Sequence, residues 1–109
     1  MSKTLKVTYK DTEYTLEYTR KSIEIMEKQG FVVTDITSKP MTTLPALFAG
    51  AFLANHRYVK REVIDEVFKT MPNKDDLIGK LAEMYNEPIL ALVEEPAPAE
   101  GNAVWTASW

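Results

Sequence analysis

Residues 5–9, LKVTY, alternate apolar and polar, with Leu5, Val7 and Tyr9 on one side and Lys6 and Thr8 on the other. Residues 14–18, YTLEY, repeat the alternation with Tyr14, Leu16 and Tyr18. Period-two patterns rich in β-formers predict two strands, and the short polar segment Lys10-Asp11-Thr12-Glu13 between them predicts a β-hairpin. It lacks glycine, so it does not name its own turn type. A lone hairpin is marginal in water, so its apolar face must lie against something else. The next segment, up to Gly30, predicts a short helix capped by Thr19, with Ile23, Ile25 and Met26 on its apolar face. After Gly30, FVVTDI is compatible with a third strand beside the hairpin or with an extended connector. Pro40 then interrupts the pattern, because the residue before a proline is pushed out of the α region.

The second half reads as helices. Residues 43–55, TLPALFAGAFLAN, place Leu44, Leu47, Phe48, Ala51 and Phe52 at i, i+3, i+4, i+7 and i+8. Thr43 is the expected N-cap and Pro45 falls in the first turn. Ala46, Ala49, Gly50, Ala51 and Ala54 would let another helix approach closely. In residues 60–71 the apolar face is Val63, Ile64, Val67, Phe68 and Met71, and Pro72 ends the helix. Asn73 is the expected cap of the next one, which carries Leu77, Ile78, Leu81, Met84 and Tyr85, with Asp75 and Asp76 suiting its positive end. Pro88 breaks or kinks this helix, or Asn86 caps a short continuation carrying Ile89, Leu90, Leu92 and Val93. The predicted class is α+β: an N-terminal hairpin, with three strands at most, followed by about four helices. Residues 1–93 form the expected domain. Residues 94–109, EEPAPAEGNAVWTASW, show no helical period and are expected to be a flexible acidic tail.

Composition narrows the chemistry. The 109 residues suit one domain, and 45% hydrophobic content supports a modest core. With no cysteine and one histidine, His56, thiolate sites and multi-histidine metal clusters are excluded. Glu94, Glu95 and Glu100 are unaccompanied by bases, so the net charge of −3 belongs to the tail and the body is neutral. A neutral body exerts no long-range pull on a phosphate backbone. No apolar run reaches the ~20 residues of a membrane span, and MSKTLKVTYK lacks the apolar stretch of a signal peptide. The expectation is a soluble, intracellular protein without membrane or nucleic-acid partners.

No nucleophile motif, phosphate loop or metal-ligand spacing is present, so a non-catalytic protein without cofactor or metal is expected. His56 reads as a helix cap or surface residue, since no carboxylate or nucleophile is placed beside it by a motif. The basic cluster His56–Arg61, with Tyr58 inside it, reads as a solvated link or as a partner site. Trp105 and Trp109 stand at i, i+4 in the segment least able to fold. They would present two rings to a groove, or pack back over Ile89, Leu92 and Val93.

Four stretches carry a resemblance: Tyr14–Arg20 (YTLEYTR), IEIMEKQGF ending at Phe31, Lys39–Phe52 (KPMTTLPALFAGAF), and LIGKLAEMYNEPI ending at Ile89. Their order and wording resemble the small tail assembly chaperones of long-tailed bacteriophages and related prophage tail proteins. The resemblance implies a protein made in the host cytoplasm that coats the tape measure protein, helps recruit tail tube subunits and is absent from the mature virion. It supplies no binding residue of its own. The candidate partner-binding residues come from the apolar surfaces a holdase needs: Leu47, Phe48, Phe52, Ile89, Leu92, Trp105 and Trp109. Leu47, Phe48 and Phe52 read equally well as core. The same surfaces are compatible with a homo-oligomer. Two further readings are a structural virion component, such as a connector or tail-completion subunit, and a small nucleic-acid-binding regulator using residues 56–61.

Overall fold

The computed structural model describes residues 3–94, 101 and 103–109. Strand β1 (Leu5–Tyr9) pairs antiparallel with β2 (Thr12–Leu16), in the register Leu5 to Leu16, Val7 to Tyr14 and Tyr9 to Thr12. This register puts the apolar positions of both strands on one face. The loop is two residues, not four. Lys10 and Asp11 both take positive φ, 47° and 64°, as a tight turn matched to the twist of the strands requires. Tyr18 consequently lies beyond the strand, in the link to the first helix.

Helix α1 (Arg20–Lys28) starts at Thr19 as expected. The Thr19 hydroxyl accepts from the Ser22 amide, and the Thr19 amide donates to the Ser22 hydroxyl. At its other end Gly30 has φ +93°, and the Gly30 and Phe31 amides donate to the carbonyls of Glu27 and Met26. This turn swings FVVTDI away from the hairpin. Val33–Ile36 forms a 3₁₀ turn, not a strand, and the sheet is two-stranded. Val33 and Ile36, three apart, both pack against the core from that turn. Tertiary packing thus overrides the β-propensity of these residues.

Helix α2 (Pro40–Gly50) has Lys39 at its cap position, four residues before the expected cap Thr43. Pro40 is its first residue, where the missing amide costs nothing, so the proline that reads as an interruption is the start. Pro45 then lies inside the helix and Thr43 is buried. Past Gly50, Ala51, Phe52 and Leu53 donate to carbonyls three residues back, tightening the chain while keeping Ala51 and Phe52 in the core. Gly50 has a steric role. A Cβ there would fall 2.4 Å from Sδ and Cε of Met26 on α1. Helix α3 (Arg61–Thr70) buries Ile64 and Val67, and α4 (Lys74–Leu92) buries Leu77, Leu81, Met84 and Tyr85. Asn73 precedes α4 with positive φ, 51°, but its side chain makes no cap bond. Helix α4 continues through Pro88, so no separate helix starts at Asn86. Among the described residues the α+β architecture is therefore a hairpin and four α-helices around one core.

Aromatic contacts tie that core together. Phe48 stands 5.3 Å from Phe52 and 5.0 Å from Phe68, and Tyr14 of β2 stands 5.4 Å from Phe52. Tyr18 meets Tyr85 of α4 edge-on at 5.4 Å, and Phe31 meets Tyr85 at 5.6 Å. Hairpin, α2, α3 and α4 thus share one packed interior.

Candidate interaction surface

Leu47, Phe48 and Phe52, expected either as partner-binding residues or as core, are core. Their exposures are 0%, 0% and 1%. A folded chain does not present them to a partner. Their burial follows from the α2 stripe facing β2 on one side and α3 on the other.

The end of α4 is the opposite. From Pro88 onward no residue of the helix is buried, although the sequence there is apolar. Ile89, Leu90, Leu92 and Val93 are 39%, 63%, 57% and 80% exposed. Neighbouring large apolar side chains left in water form a patch of the kind that marks a protein-binding surface. Ile89 and Leu92 join Pro88 and Ile23 of α1 in lining a small open cleft of about 200 Å³, with Arg20 and Glu24 at its rim. Leu90 and Ala91 face a second open cleft, of about 570 Å³, whose other wall includes Lys3 and Tyr18. Apolar surface is therefore presented on two sides of one helix end.

Trp105 and Trp109 are 83% and 102% exposed, so they do not pack over Ile89, Leu92 and Val93. Residues 103–109 carry no helix or strand. Residues 95–100 and 102 of the expected tail lie outside the described residues.

A third concavity, an open groove of about 480 Å³, lies between the end of α1, the 3₁₀ turn and α2. Its α2 wall is made of small residues, including Thr42, Ala46 and Ala49, and Lys39, Asp35 and Arg61 supply charge. Among the described residues, no His, Asp and Glu gather in the threes a metal ion needs. Nor, among them, is any helix long and apolar enough to cross a membrane.

The basic cluster 56–61 is divided by the fold. His56 turns to the hairpin, where its Nε2 accepts the Thr15 amide at 3.0 Å and its ring meets Tyr14 edge-on at 5.2 Å. Arg61 turns to Asp65, with Nε 3.0 Å from a carboxylate oxygen. Tyr58 remains exposed. His56 is thus a structural residue, and its partner, 41 positions away, is invisible to motif reading.

The perturbed titratable groups are structural as well. Burial pushes the Tyr18 phenol far above its ordinary range, with Tyr85 adding to the effect, and the hydroxyl donates to the Leu47 carbonyl at 2.5 Å. Burial also raises Tyr85, and Glu27 contributes. At the surface, the hydrogen bond between Lys3 and Glu83 raises the ammonium and lowers the carboxyl. This pair, with Glu87 at 3.9 Å, places the start of β1 beside α4.

Comparison with known proteins returned no matching curated protein and no matching solved structure. A family model spans residues 1–109, the whole sequence, and the chain belongs to that family, described as "Domain of unknown function (DUF5055)".

Proposed function

We propose that this chain is a non-catalytic tail assembly chaperone of a long-tailed bacteriophage, which binds the tape measure protein and helps recruit tail tube subunits. The observation that carries the reading is the apolar end of α4, where Ile89, Leu90, Leu92 and Val93 stand in water on a helix whose first part is well buried. A holdase works by lending such surface to a long helical client before the client assembles, and it needs no reactive group. The exposed Trp105 and Trp109 offer a second, separate anchor for a client or a tube subunit. The wording of residues 14–20, 23–31, 39–52 and 77–89 supports the same assignment through its resemblance to tail assembly chaperones. The protein acts in the host cytoplasm and leaves before the virion matures.

The test is co-expression with the tape measure and tail tube proteins of the same genome, followed by affinity capture. The intact chain is expected to retain the tape measure protein in soluble form, and the double variant Leu90→Ser/Leu92→Ser to lose at least tenfold in capture. Equal capture by the variant refutes the α4 surface. Stoichiometric presence of the chain in purified particles, read by mass spectrometry, refutes the chaperone role and favours a structural component of the tail.

A further inference from the structure

The two edges of the hairpin are finished differently. On β2, the Thr15 amide donates to His56 Nε2 at 3.0 Å, and the Thr15 carbonyl accepts from Asn55 Nδ2 at 3.2 Å. Two residues on, the Glu17 amide donates to the Ala51 carbonyl at 3.1 Å. The chain that follows α2 thus closes this edge. Thr15 turns its backbone groups away from β1, so its cross-strand partner Lys6 turns its own groups away from β2. The alternation places Thr8 in the same orientation as Lys6. Among the described residues, nothing bonds to these outward groups. The edge of β1 is open, and an open edge is a template for another strand.

Charge narrows what that strand is. Residues 1–10 hold Lys3, Lys6 and Lys10 and no acid, whereas residues 94–109 hold Glu94, Glu95 and Glu100 and no base. Pairing β1 with β1 of another copy would set lysines beside lysines, whereas the C-terminal segment brings the opposite charge. Lys3 and Lys6 already have acidic neighbours in Glu83 and Glu13, but these pairs are exposed and exchange readily. The segment Ala103–Trp109 has a strand-like pattern: Ala103, Trp105, Ala107 and Trp109 alternate with Val104, Thr106 and Ser108, with no proline and no charged side chain. Both tryptophans are almost fully exposed, so the segment's own body does not cover it.

We propose that residues 103–109 of one copy add as a third strand along the β1 edge of a second copy. The exchange is reciprocal: each chain lends its C-terminal segment to the other, and a two-fold dimer closes with both open edges filled. Main-chain bonds to Lys6 and Thr8 supply the attraction, and the opposite net charges of the two sequence segments favour the encounter. The dimer stands or falls independently of which client the protein serves.

Light scattering during size-exclusion chromatography tests the proposal, alongside amide hydrogen exchange on the same samples. The intact chain is expected at twice its 12.4 kDa, with its Lys6 and Thr8 amides exchanging at least tenfold more slowly than in a chain lacking residues 103–109. The truncated chain, which loses nothing from the core, is expected at monomer mass. Added salt is expected to weaken the dimer. A dimer that survives truncation overturns the proposal. So does an intact chain that stays monomeric, whether its Lys6 and Thr8 amides are fast or are protected by its own segment. A dimer lost on truncation without any change at Lys6 and Thr8 overturns the placement at β1.

Discussion

Two stretches of this chain are about equally greasy and meet opposite fates. Residues 47–52, LFAGAF, are enclosed by β2, α1 and α3, whereas residues 89–93, ILALV, stand in water at the end of α4. Composition does not separate them; position in the chain does. The first stretch is preceded and followed by elements that close over it. The second follows Pro88, where the neighbouring N-terminal segment and α1 line open clefts against it without burying it, so its apolar surface remains available. Hydrophobicity states that a surface wants covering, and the fold decides whether the chain itself covers it.

The comparison breaks most readily at its buried half. Phe48→Ala removes a side chain with 0% exposure that contacts both Phe52 and Phe68, and is expected to cost about 3–5 kcal/mol in denaturant unfolding. That is a large share of the ~5–15 kcal/mol available to a small domain. A loss below about 1 kcal/mol would mean that α2 is not the centre of the core.

A smaller effect is expected where the hairpin's exit meets α2. Tyr18→Phe leaves the Leu47 carbonyl without its donor and is expected to cost about 1–2 kcal/mol at neutral pH. The sign of its pH dependence follows from burial. The folded phenol holds its proton well above the ordinary 10.0, while the unfolded phenol releases it there. The stabilisation is therefore complete below about pH 10 and is lost as the pH rises further. The variant is expected to show a shallower alkaline loss than the parent; identical slopes would contradict the burial of this hydroxyl. At the exposed half, Leu90→Ser/Leu92→Ser is expected to shift stability by no more than about 0.5 kcal/mol. A cost above about 2 kcal/mol would show that the patch is covered in the free protein.

Much of the architecture was legible because it is local. Period-two alternation marks β1 and β2, and the faces Ile64/Val67 and Leu77/Leu81/Met84/Tyr85 follow helical spacing. Thr19 and Gly30 bound α1 where their chemistry places them. The misreadings have a common source in context. Pro40 reads as a break unless it is known to open a helix, and FVVTDI reads as a strand or an extended connector unless the Gly30 turn is known to lead it into a 3₁₀ turn. Lys10 and Asp11 carry no glycine signal, yet the hairpin's twist holds both at positive φ. Of the candidate surface, Ile89, Leu92, Trp105 and Trp109 are exposed to solvent, while Leu47, Phe48 and Phe52 are enclosed. Nothing in their spacing distinguishes the two groups, because burial depends on what arrives from elsewhere in the chain.

The closure of β2 by Asn55 and His56 has a consequence for synthesis. The strand's outer edge is completed by a residue made 41 positions later, so a nascent chain leaving the ribosome carries its first two strands unsupported until α2 and the turn after it have emerged. Translation order therefore makes the hairpin a late arrival in assembly of the body, although it is made before the helices that close it.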